Sequence, residues 1–177
     1  MEKKKETKLL KIYKYGDEIL KQMAADVTNI DGHLMDFIES MVRTLYASRS
    51  AIGLAAPQVG KSLRITAIDL TQGQEEGQLI VLINPKIIEM EGKDTMEEGC
   101  LSFPGISVPV NRATRILLET VTPEGKELRQ EVEGYLARVM QHEIDHLDGT
   151  LIIDRVSSLR RQVMKRDIRK LQDEGEW

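Results

Sequence analysis

The segment His142-Glu143-Ile144-Asp145-His146 constrains this chain more than any other. An H-E-x-x-H run does chemistry only on a helix, where residues four apart lie one turn apart on one face and both imidazoles can grip a single metal ion. Tyr135 and Val139 extend that face toward the N-terminus and Gly149 is placed to end it, so the spacing predicts a helix from near Glu133 through His146. Glu143 sits beside the first imidazole; it need not bind the ion, because from there its carboxylate reaches a metal-bound water and acts as general base. Only three histidines occur in 177 residues, His33 being the third. A chance match is then expected in roughly one chain in a hundred or fewer. The plainer alternative is two helix histidines that merely cap or pack.

Two ligands do not complete a catalytic site, which usually has three protein ligands and one open position. The continuation His146-Leu147-Asp148-Gly149 leads to Ile152 where a metzincin needs its third histidine. No glutamate lies between Glu143 and Glu174, so a zincin using a downstream carboxylate is also awkward. The remaining strong donor is Cys100, the only cysteine. A thiolate with two imidazoles suits Fe(II), Zn, Co or Ni; the competing reading is a small buried hydrophobe. A lone cysteine also excludes an internal disulfide, and with it a stapled secreted domain.

Around this helix the apolar pattern changes twice. From Asp31 the positions Leu34, Phe37, Ile38, Met41, Val42 and Leu45 follow the helical repeat, which predicts a helix over Asp31 to Ala47 capped by Asn29 or Asp31. Between Leu63 and Val121 short β-branched runs follow: Arg64 to Leu70, Leu79 to Ile83 and Ile116 to Val121, punctuated by the turn signals Asn84-Pro85 and Thr122-Pro123-Glu124-Gly125. Ser157 to Glu174 reads as a charged amphipathic helix with Leu159, Val163, Ile168 and Leu171 as its apolar side. The order predicts an α+β fold in which antiparallel sheets pack around the central H-E-x-x-H helix, with an N-terminal and a C-terminal amphipathic helix. A length of 177 residues with 41% apolar content fits one domain, 1–177.

The charged start Met1 to Glu6 leads into no signal-peptide core, and no run of about 18 apolar residues occurs, so the expectation is a cytoplasmic chain with no membrane partner. A net charge of -4 argues against a DNA reader. The last helix nevertheless carries Arg160, Arg161, Lys165, Arg166, Arg169 and Lys170. It is either a solvated face or an electrostatic contact.

Three blocks, in order, resemble peptide deformylases: Gly53-Leu54-Ala55-Ala56-Pro57-Gln58, Glu98-Gly99-Cys100-Leu101-Ser102, and Gln141-His142-Glu143-Ile144-Asp145-His146. That family carries G-x-G-L-A-A-x-Q, E-G-C-L-S and Q-H-E-x-D-H, and the resemblance runs from about Tyr15 to the C-terminal helix. Ala51 departs from it, standing where the first glycine belongs. The resemblance implies a metal-dependent hydrolase that removes the formyl group from the N-terminal formyl-methionine of nascent chains, releasing formate; the alternative class is a zincin-like metallopeptidase. It implies Cys100, His142 and His146 as ligands of one divalent ion, Fe(II) first and Zn, Ni or Co as substitutes. Glu143 would be the general acid/base, with Gln58 and the Leu101 N–H receiving the oxyanion. Ile52, Gly53, Gly99, Tyr135 and Val139 would border the substrate pocket, and Arg138 either approaches its mouth or is a solvated charge. For an enzyme acting on emerging chains, the partner of the 157–174 helix would be the ribosome.

Overall fold

The computed structural model describes residues 9–48 and 50–177; the expectation about Met1 to Glu6 lies outside them. Helix α1 (Gly32–Ala47) begins at Asp31, whose carboxylate accepts the Leu34 N–H at 2.9 Å, the cap expected from sequence. Its buried stripe, Ile38, Met41 and Leu45, packs on Leu54, Ile65, Ala67 and Ile83. These last residues belong to a five-stranded sheet of order β1 (Gly53–Ala55), β2 (Ile65–Ile68), β3 (Ile80–Glu91), β6 (Arg115–Val121) and β7 (Glu127–Glu133), every pair antiparallel. A separate hairpin is formed by β4 (Asp94–Cys100) and β5 (Phe103–Arg112).

Helix α2 (Gly134–Leu147) crosses the other side of the large sheet. Ala137, Val139, Met140 and Ile144 form one buried cluster with Ile68, Leu82, Ile116, Leu118 and Val132. At about 1.5–3 kcal/mol for each large apolar side chain removed from water, this cluster anchors the helix firmly. Because α1 covers one face and α2 the other, all four residues of β2 are buried. Helix α3 (Ser158–Asp173), capped by Ser157, seats Met164 and Ile168 against Phe103, Val108 and Val110 of the hairpin.

Three expectations are corrected. Asn84-Pro85 is not a turn but a bulge inside β3: Asn84 takes φ 51°, the register against β6 slips between Ile83 and Lys86, and the Asn84 amide bonds the Val27 backbone N–H and C=O, both at 2.8 Å. On α3 Ile168 is buried as expected, but Met164 is buried with it, while Leu159 is 71% exposed. Strands β1, β4, β5 and β7 were not expected: β1 is only three residues long, and β4 and β7 bury a single residue each, Glu98 and Val132, and show no apolar alternation.

Candidate metal centre

Helix α2 and the end of β4 bring the three expected ligands together. His142 and His146 stand one turn apart with ring centroids 5.1 Å apart. Cys100 closes β4, where the register breaks before the Leu101-Ser102 turn and aims the thiol at the helix. Its Sγ lies 3.3 Å from His146 Nε2, and one donor atom of each of the three residues falls within 4.8 Å of the others. A soft thiolate with two imidazoles, half-buried to buried, fits a divalent transition ion.

The two imidazoles are held differently. His142 Nδ1 donates to Glu98 Oε2 at 2.9 Å, which leaves its Nε2 for the ion. Burial opposes protonation of this ring, yet its hydrogen bonds to Cys100 and Glu98 hold its pKa well above the ordinary value; a divalent ion bound there would take that proton's place. Burial, with the charges of His142 and Arg112, holds His146 well below the ordinary value, so it is a neutral donor. Glu98 is itself clamped by Arg112 through two 2.9 Å bonds and by Arg138 Nη1 at 2.8 Å. Burial alone would raise its pKa, but the hydrogen bonds and charges of Arg112 and His142 overcome this and hold it at about 2. Arg112 also reaches Asp145 at 2.5 Å, and Arg155 pairs with Asp145 from outside. Arg138 is thus a buried member of this network rather than a solvated charge.

Glu143 is buried, with Oε1 against Gly53 and Oε2 without a protein partner among the described residues. Burial raises its pKa to about 7, where a carboxyl both accepts and returns a proton at neutral pH. Gln58 follows β1 in the short turn Ala56–Val59; its Oε1 accepts the Ala55 N–H at 2.9 Å, which points Nε2 at Ser102 Oγ (3.2 Å) and Cys100 Sγ (3.5 Å). A cavity of about 680 Å³ opens over these groups. Ile52, Gly53, Gln58, Gly99, Leu101, Tyr135, Val139 and Glu143, all expected from sequence, line it, and so does Ala51. His33 is exposed on α1, away from the cavity. Sequence reasoning missed Glu98, Ser102, Asp145 and Arg112. The first three lie inside the quoted blocks, and the need of a metal-bound imidazole for an acceptor at its second nitrogen was the available signal. Arg112 carries no local signal.

Residues 9–162 match the polypeptide deformylase family. The peptide deformylase of Halothermothrix orenii is 51% identical over 148 residues, 84% of this chain and 94% of that protein. That of Thermodesulfovibrio yellowstonii is 44% identical over 158 residues, 89% and 95% respectively. The crystal structure of a peptide deformylase from Legionella pneumophila superposes with a TM-score of 0.87 at 38% identity, covering 95% of this chain and 98% of that one.

Proposed function

The chain belongs to the peptide deformylase family and is a metal-dependent hydrolase that removes the N-formyl group from nascent polypeptides; from that premise we propose how its own residues divide the work. Cys100, His142 and His146 hold the ion, and the whole chain serves as one catalytic domain. When bound, a divalent ion supplies Lewis acidity that makes water a nucleophile at neutral pH. Glu143 takes the proton of the attacking water at Oε2 and returns it to the leaving amine. Gln58 Nε2 and the Leu101 N–H receive the negative charge that develops on the formyl oxygen. Ile52, Gly53, Gly99, Tyr135 and Val139 border the pocket for the methionine side chain.

The observation that carries this reading is the convergence of Cys100, His142 and His146 beside a buried Glu143 with one unpartnered oxygen. A zincin-like endopeptidase is not favoured, since the third donor comes from the hairpin and not from residues after α2. The test is incubation with formyl-Met-Ala-Ser and with an internal peptide: formate is released from the first, nothing is cleaved in the second, and Glu143→Ala abolishes formate release with metal retained. Peptide-bond cleavage, or an active Glu143→Ala, defeats the assignment.

Fe(II) is the ion proposed, with Zn, Ni and Co as substitutes. A thiolate-bound iron oxidises readily, so activity decays in air faster for the iron form than for the Ni or Co form, and elemental analysis after anaerobic purification finds iron. The place of work is the cytoplasm; among the described residues no helix is long and apolar enough to cross a membrane. The partner is the ribosome, met through the exposed cations Arg160, Lys165, Arg166, Arg169 and Lys170 of α3. Replacing these five by glutamine, which leaves Met164 and Ile168 in place, abolishes salt-sensitive cosedimentation with ribosomes; unchanged cosedimentation rules the contact out.

A further inference from the structure

Among the described residues three buried side-chain atoms have no protein partner: Glu143 Oε2, His146 Nδ1 and Thr66 Oγ1. The first faces the chemistry. The other two lie on strand β2 and on helix α2, which packs against it. The pairing of β1, β2 and β3 sets Ala55, Thr66 and Leu82 opposite one another, one cross-strand row on one face of the sheet. Ala55 packs with Leu147, and Leu82 shares a buried cluster with Ile144. Thr66 therefore lies beneath the last turn of α2, the turn that carries His146. Glu143 belongs to the next row, where its Oε1 abuts Gly53 opposite Ile68.

Chemistry joins the pair. On the ligand assignment proposed above, His146 gives the lone pair of Nε2, the atom that meets Cys100 Sγ, to the ion. The neutral ring then carries its proton on Nδ1, and that N–H needs an acceptor, as metal-bound imidazoles almost always have. His142 meets the same need through Glu98; His146 has no such carboxylate among the described residues. Thr66 in turn is a hydroxyl on a strand whose four positions are all buried, where valine would fill the same volume without a polar atom to satisfy. The structure contains no direct bond between them, and one buried water spans two such groups at little cost.

We propose that Thr66 is a positioning residue for the metal centre: through one buried water its hydroxyl holds the Nδ1–H of His146 and so fixes the ring that presents Nε2 to the ion. The proposal rests on the metal-ligand reading of His146, and the experiment separates the two. Zn(II) affinity is measured by competition with a chromophoric chelator, and the visible bands of the Co(II) form are recorded, for the wild type, Thr66→Val and Thr66→Ser. Thr66→Val keeps the side-chain shape; it is expected to bind Zn(II) about tenfold more weakly and to shift the Co(II) bands, while Thr66→Ser restores both. Wild-type affinity and bands in Thr66→Val overturn the proposal. So does wild-type affinity with a displaced pH–rate profile, which moves the hydroxyl to Glu143. Failure of the ligand reading looks different: His146→Ala then binds Zn(II) as tightly as the wild type.

Discussion

At Gly53 the absence of a side chain is a requirement of the site. A Cβ there would stand 2.3 Å from Glu143 Oε1, so one of the two must move, and the carboxylate is the mobile partner. Gly53→Ala is expected to keep fold and metal content while displacing the proposed proton carrier. A misplacement of about 1 Å lowers kcat by roughly 10²-fold; a variant with normal kcat shows that Glu143 tolerates the shift. On the proposed division of roles, Gln58→Ala removes a donor to the formyl oxygen, and with it the acceptor of the Ala55 N–H. Steady-state kinetics should show kcat down by about 10²–10³-fold. Glu98 links the site to pH. Its pKa falls from 4.5 to about 2 on folding, so the folded state binds this proton less tightly than the unfolded one. The stabilisation is present above pH 4.5 and is lost as pH falls toward 2, on the order of a few kcal/mol. Urea titrations between pH 5 and pH 2.5 should show a smaller loss of stability in Glu98→Gln than in the wild type, and equal slopes would remove Glu98 from the acid response.

Helix α3 is where periodicity alone finds only part of the buried side. Leu159, Val163, Ile168 and Leu171 make a plausible stripe, but a helix with few apolar residues is rotated by its neighbour, and the hairpin takes Met164 and Ile168 while leaving Leu159 exposed. Ile168→Ala should therefore cost about 2–5 kcal/mol in chemical denaturation, and Leu159→Ala should stay within about 0.5 kcal/mol. A comparable cost for Leu159→Ala would restore the expected stripe, which held both residues. The other helices were legible because their signals are local: Asp31 caps α1, and the His142/His146 spacing with Gly149 outlines α2. Strands β4 and β7 were illegible because their partners, not their own side chains, make them strands. The site divides along the same line. Cys100, Gln58 and the histidines could be read from short blocks, whereas Arg112 serves Glu98 from 14 residues away and Asp145 from 33, a separation that no local pattern encodes.

Over the whole molecule, the donor set bridges the β4/β5 hairpin and the helix buried on the five-stranded sheet, which also meet through a buried charged seam. Cys100 belongs to the β4/β5 hairpin, while His142 and His146 belong to the helix buried on the five-stranded sheet. That seam is the buried chain His142–Glu98–Arg112–Asp145, in which Glu98 and Arg112 come from the hairpin and Asp145 from α2, together with Arg138 of α2, which bonds Glu98 and the Asp94 and Val110 carbonyls of the hairpin. On the proposed ligand set, an ion on Cys100 and both histidines would be a cross-link between hairpin and helix. It stabilises the folded state by mass action, about 4 kcal/mol when free ion exceeds its dissociation constant a thousandfold. Chelation should lower Tm, and by more when the competing free ion is lower. The loss should also be local. Without the ion the hairpin keeps the charged seam and the apolar contacts of Phe103, Val108 and Val110 with α3, whereas α1 and β1–β3 keep a core that never involved the ion. Amide hydrogen exchange should accelerate over residues 94–112 and in the last two turns of α2, and remain unchanged in β2 and α1. Acceleration spread evenly over the chain would mean that the ion stabilises one cooperative unit, and that the hairpin is not hinged on its metal ligands.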